Sequence, residues 1–167
     1  MRAICVAVLA GGLVVAADVP PKELPAGRSL AGKDGYALGR VEMTIPKASA
    51  GDVLQLDLWT ATKDRTAKVG YSAAFKVGGV TCVDNFGNVY KVHVHKDYTG
   101  PERTFVSEGR PVIDYLFFEL PVNAAKFVDV DIPGEVVGEK GVFKFRVMRA
   151  AWDPAARKKE PAKAKKK

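Results

Sequence analysis

The residues in this chain whose types and spacing could do chemistry are few, and the histidines come first. His93 and His95 are the only histidines among 167 residues and stand two apart in YKVHVHKD. On an extended strand, side chains at i and i+2 leave the same face. Two imidazoles placed so could hold Zn2+ or Cu2+, with Asp97 continuing the phase as a third donor. The simpler account is the polar outward face of a hairpin strand whose Val92 and Val94 point inward. The pattern favours it, because no further ligand cluster is visible. Asp129 and Asp131 also alternate, in KFVDVDIP, and Asp84 and Asp114 stand elsewhere. Paired carboxylates serve acid–base work or Ca2+ only when a cleft holds them at matched distances. Alternation with Val128, Val130 and Ile132 places this pair on a solvent face. Asp84, Asn85 and Asn88 have the right atoms for Ca2+, yet turn chemistry accounts for all three.

Nucleophilic catalysis finds little support. Cys82 alternates with Val83 and reads as a half-buried small hydrophobe. Ser72 and Ser107 form no local motif with the histidines, and Gly78-Gly79 lacks the flanking pattern of a phosphate loop. Trp59 and Tyr71 are candidate exposed aromatics on the sheet that carries Asp57, suited to carbohydrate or protein contact, although covering a sheet edge is the commoner use of such residues. No catalytic residue and no cofactor is expected.

The formal charge of +7 suggests a polyanion partner, but its distribution narrows the suggestion. From Asp153 to Lys167 there are seven Lys/Arg and two acidic residues, so this tail carries +5. Arg2 carries +1, which leaves +1 for everything between. The tail AARKKEPAKAKKK is low-complexity and reads as disordered. Arg157, Lys158, Lys159, Lys163, Lys165, Lys166 and Lys167 are its candidate contacts to an anionic lipid surface or an acidic envelope polymer. A purely solubilising tail is the competing reading.

The N-terminus argues against specific nucleic-acid binding in the cell. Arg2, the apolar run ICVAVLAGGLVVA and the small residues Val15-Ala16-Ala17 read as a secretory signal cut after Ala17. A membrane anchor is disfavoured, since the run falls short of the ~20 residues a span needs and Pro20 and Pro21 follow. Removal of the signal leaves Cys82 as the sole cysteine, so the exported domain must be stable without an internal disulfide.

Short strands must position these residues. Residues 18–35 read as a linker and Tyr36 to Ile45 as a first strand, with a turn from Pro46 to Asp52. Val53 to Thr60 alternates cleanly, with Leu54, Leu56 and Leu58 toward the core. Tyr71 to Val77 and Val80 to Asp84 read as short strands around Gly78-Gly79. The turn Asp84-Asn85-Phe86-Gly87-Asn88 makes residues 80–95 a hairpin. Thr104 to Val106 is a short edge strand. Pro111 to Pro121 is the most apolar run of the body and reads as an inner strand covered on both faces. Lys126 to Ile132 and Val142 to Met148 complete the set. Seven or eight strands at regular spacing without a convincing helix predict an all-β, immunoglobulin-like antiparallel β-sandwich over 36–150, between the signal (1–17), the linker and the tail (151–167).

The succession VLQLDLWT, VTCVDNFGNVYKV, EGRPVIDYLFFELP and GVFKFRV resembles the telokin-like, immunoglobulin-like domain family of secreted bacterial proteins and lipoproteins. Asp84, Gly87 and Tyr90 match its aspartate and glycine around a hairpin before a tyrosine. Gly109, Phe118 and Pro121 match its later turn and its strand ending in an aromatic and proline. The resemblance spans Val53 to Val147 and departs from lipoprotein members in lacking a lipid-site cysteine. It implies a fold and an extracytoplasmic setting, and brings no catalytic residues. The expected function is an exported, non-enzymatic interaction or structural module that meets an unknown protein or envelope polymer and is secreted, periplasmic or envelope-bound. The alternative is an extracytoplasmic metal-binding protein using His93 and His95.

Overall fold

A computed structural model describes residues 24–62 and 64–157. The fold is an all-β sandwich. Its strands are β1 (Ser29–Leu30), β2 (Tyr36–Leu38), β3 (Val41–Ala50), β4 (Leu54–Thr62), β5 (Val69–Gly70), β6 (Thr81–Asp84), β7 (Phe105–Val106), β8 (Val112–Phe118), β9 (Phe127–Pro133) and β10 (Val142–Met148). One sheet has the order β2-β3-β4-β8 and the other β1-β10-β9-β6, with β5-β7 as a small third sheet. Helices are single turns: α1 (Ala74–Val77), α2 (Arg149–Trp152) and α3 (Pro154–Arg157), with a 3-10 turn at Gly134–Val137. None of the described helices is long and apolar enough to cross a membrane.

Period-two patterning builds the core. Leu54, Leu56 and Leu58 of β4 and Val112, Leu116 and Phe118 of β8 are buried in one cluster with Val128, Val130 and Ile132 of β9 and Phe143, Phe145 and Val147 of β10. These inner faces come from both large sheets, as in a sandwich. Burying each large side chain is worth roughly 1.5–3 kcal/mol before entropy is set against it.

Several expectations change at this level. The expected turn at Pro46 to Asp52 is mostly strand: β3 runs on to Ala50, and its register with β4 shifts between Thr44 and Lys47. Pro46 sits in that irregularity, where a missing ladder N–H is tolerated. Tyr71 to Val77 is not a strand, because the chain turns into α1 after Ala73. The hairpin after β6 extends only as far as Tyr90, whose N–H bonds Cys82 O. The chain then crosses to the other sheet, where Val92 bridges Phe118. Ser29–Leu30, within the segment read as a linker, pairs in parallel with β10, and Trp152, past the expected domain end, is buried in the core. β8, expected as an inner strand, lies at the edge of its sheet, and Ile113 on its outward face is 41% exposed.

Candidate binding surface

Asp114 organises the open end of β8. It stands in phase with Val112, Leu116 and Phe118 on the inner face and is 0% exposed. Its Oδ2 accepts from the Tyr71 hydroxyl at 3.0 Å and from the Ala74 amide at 2.8 Å. Its Oδ1 accepts from the Tyr98 hydroxyl and, at 2.8 Å, from the Tyr115 amide. A buried carboxylate persists only when its lone pairs are used in this way. Burial pushes the Tyr71 phenol well above its ordinary range, and the neighbouring Asp114 charge pushes it further. Burial, followed by the bond to Asp114, raises Tyr98 as well. One carboxylate therefore ties two loops to β8: the segment entering α1, through Tyr71 and Ala74, and the segment after His95, through Tyr98.

Those loops wall two cavities that share Thr99, Gly100 and Pro101. The larger, about 570 Å³, runs between residues 97–103 and the start of β8, where Pro111, Ile113 and Tyr115 line it. Gly100 has φ 119°, and a Cβ there would sit 3.2 Å from the Ala73 Cβ, so the close approach of the two loops favours glycine. Beside the groove, Trp59 pairs across the ladder with Ile113 and is 45% exposed. Asp57 follows on the same outward face and accepts from Gln55 Nε2 at 2.9 Å. Trp59 is thus an exposed aromatic as expected. Tyr71 is not: it is buried, with its hydroxyl on Asp114.

The histidines lie past the Asp84 turn and outside the named strands, His93 next to the single bridge of Val92 to Phe118 and His95 beyond it. Both are exposed, and the expected inward valine between them, Val94, is exposed as well. The His93 amide donates to Phe117 O, and the His95 ring lies 5.4 Å from that of Phe117. Nδ1 of His95 accepts from the Asp97 amide at 3.4 Å, so Asp97 meets His95 through its backbone. Among the described residues no group of three His, Cys, Asp or Glu side chains converges as a metal site would require.

The other carboxylates are engaged in structural bonds. Asp84 Oδ1 accepts from the Phe86 and Asn88 amides and Oδ2 from Asn88 Nδ2 and the Tyr90 hydroxyl. Burial raises this carboxyl, but those hydrogen bonds outweigh it and lower it to about 2. Gly87, at φ 88°, closes the turn, and the Tyr90 hydroxyl accepts in turn from the Val122 amide. Asn85 Oδ1 accepts from the Lys126 amide. Asp129 and Asp131 sit on the outer face of β9 as expected, but paired. Arg146 grips Asp129 through Nε and Nη2 at 2.8 and 2.9 Å, and Arg28 reaches Asp131 at 2.7 Å. Arg146 also lies 3.7 Å over the Phe127 ring. Cys82 is fully buried rather than half-buried, and burial, with the charges of Asp84 and Asp129, pushes its thiol up to about 12. Ser72 precedes α1 and Ser107 bridges Arg110, neither bonded to a histidine among the described residues. Arg157 closes α3, and the tail lysines, like residues 1–23 with the expected signal, lie outside the described residues.

No family model and no curated protein matches this chain. Among solved structures it is similar to the crystal structure of the yjhA protein from Bacillus subtilis, at 11% identity and a TM-score of 0.48, over 74% of this chain and 98% of that one.

Proposed function

We propose that this protein is an exported, non-enzymatic interaction module. Its rigid sandwich presents the Trp59–Ile113 face and the adjoining groove to a partner in the envelope, and its Lys-rich tail contacts an anionic surface. The observation that carries this reading is the cross-strand pair of exposed apolar side chains, Trp59 and Ile113, beside a groove of about 570 Å³. Large exposed apolar residues grouped at a concavity are a feature of contact surfaces. The buried Asp114 beside it is spent on holding the groove's loops, which suits a scaffold for binding. The leader-like N-terminus supports export, as does the resemblance to telokin-like domains carried by Asp84, Gly87 and Tyr90.

The two contacts separate by variant. Trp59→Ser should weaken binding to a solubilised envelope fraction and leave retention on phosphatidylglycerol-rich vesicles unchanged. Truncation after Arg157 should do the reverse, and the vesicle binding of the full chain should fall steeply with salt. The cut belongs after Arg157 because Asp153 pairs with Arg149 at 2.9 Å. Vesicle retention that survives truncation would place the anionic contact on the sandwich.

A further inference from the structure

The outer edge of β8 is occupied along only half its length, and hydrogen-bond parity identifies the free half. The His93 amide donates to Phe117 O and the Glu119 amide to Lys91 O, so the backbone groups of residues 117 and 119 point away from β4. The Tyr115 amide also points that way, since it reaches the Tyr98 hydroxyl at 3.2 Å. β8 pairs with β4 without a register break, and in an antiparallel ladder residues two apart face the same neighbour. The N–H and C=O of Ile113 therefore also face outward. No hydrogen bond among the described residues reaches either group from that side. Ile113 lines the groove, and Tyr98, which walls it, stands on that same outer side of β8.

An unpaired strand edge is a template for another strand. The chain already uses it so: residues 91–93 add antiparallel to the far half, with Val92 opposite Phe118. We infer that the near half of this edge takes an extended peptide from a partner, which adds as a strand in register with Ile113, in the groove between β8 and residues 97–103. Main-chain bonds to Ile113 give such a peptide its alignment, and its outward side chain lies against Ile113 and Trp59. The charged lining of the groove is Asp97, Glu102 and Arg103, two acids and one base, which favours a peptide with a basic residue. A second copy of β8 fits this place less well, because each copy would bring its own 97–103 segment against the other's edge. The inference rests on the interaction-module reading and names its partner chemistry.

Amide hydrogen exchange by NMR on the full chain tests it, with an acetylated hexapeptide of alternating valine and threonine flanked by lysines as probe. In the free protein the Ile113 amide should exchange faster than those of Asp114 and Leu116, which face β4. Saturating probe should slow it about tenfold or more. The same peptide with its β8-facing amides N-methylated should leave it unchanged. Ile113→Pro should fold, since proline is tolerated where an edge N–H points outward, and should not bind. A slow Ile113 amide in the free protein, no slowing by the probe, or equal slowing by the methylated peptide would each overturn the inference. Slowing that grows with protein concentration alone would give the edge to a second copy and overturn it too. Envelope binding that falls with Trp59→Ser but not with Ile113→Pro would leave the module reading standing and remove only the strand-addition route.

Discussion

Replacing Asp114 with alanine should loosen both loops that wall the groove, and the cost follows from its partners. The carboxylate is fully buried and receives the Tyr71 and Tyr98 hydroxyls and the Ala74 and Tyr115 amides. In the alanine variant the Tyr115 amide keeps the Tyr98 hydroxyl at 3.2 Å as acceptor. The Tyr71 hydroxyl and the Ala74 amide lose theirs in the interior, and the Tyr98 hydroxyl loses its acceptor too but is half-buried and turns to water. A buried donor without an acceptor costs about 1–3 kcal/mol, so the two interior donors together give about 2–6 kcal/mol. Relief from burying a charge offsets part of this, and the cavity left behind adds to it. The expected net loss is about 3–4 kcal/mol. Asp114→Asn keeps one acceptor oxygen and should cost about half as much. Urea unfolding of both variants measures this, provided the slope is unchanged, and limited proteolysis should show new cleavage within residues 97–104. An alanine variant within about 0.5 kcal/mol of the parent, with the loop still resistant, would refute the tethering argument.

The other predictions follow from burial and the titration shifts. The folded pKa values of Tyr71, Tyr90 and Tyr98 are raised, and that of Cys82 is about 12. Their contribution is full below the unfolded values and lost as pH rises through the folded ones. Stability should therefore fall from about pH 9 through Cys82 and from about pH 10 through the tyrosines, by up to about 1.4 kcal/mol per pH unit for each group, and part of the phenolate absorbance should appear only with unfolding. Phe118→Ala should cost ~3–5 kcal/mol, because it empties a fully buried site shared by both sheets; an unchanged denaturation midpoint would contradict that placement. Zn2+ or Cu2+ should not raise the unfolding temperature of the parent; a rise abolished by His93→Ala with His95→Ala would restore the metal-binding alternative.

Much of the fold was legible because it rests on local pattern. The alternation of Leu54, Leu56 and Leu58, and of Phe143, Phe145 and Val147, marks strands whatever they pair with. The Asp84 turn reads from its residues alone, since the bonds that hold it lie within six positions. What the pattern could not carry was pairing order. Nothing in PVIDYLFFELP says that its strand is an edge, because the partial covering of its outer side comes from Tyr98 and Val92 in another segment. The grip of Arg146 on Asp129 depends on strand register, and that of Arg28 on Asp131 joins residues about a hundred positions apart. The binding surface was half visible. Trp59 stood out as an exposed aromatic beside Asp57, whereas Tyr71 was misplaced because α1 replaced the expected strand. Asp114 carried a readable signal, a carboxylate in phase with Val112, Leu116 and Phe118, whose meaning waited on the partners that surround it.

The most direct measurement is site-specific photo-crosslinking of the full chain in intact envelope. A benzophenone side chain at Trp59 is compared with one at Lys144, which is exposed on the outer face of the other sheet opposite Asp131. A discrete adduct is expected from position 59 and none from position 144. Equal labelling at both positions, or none at either, would contradict the claim that this face meets a partner.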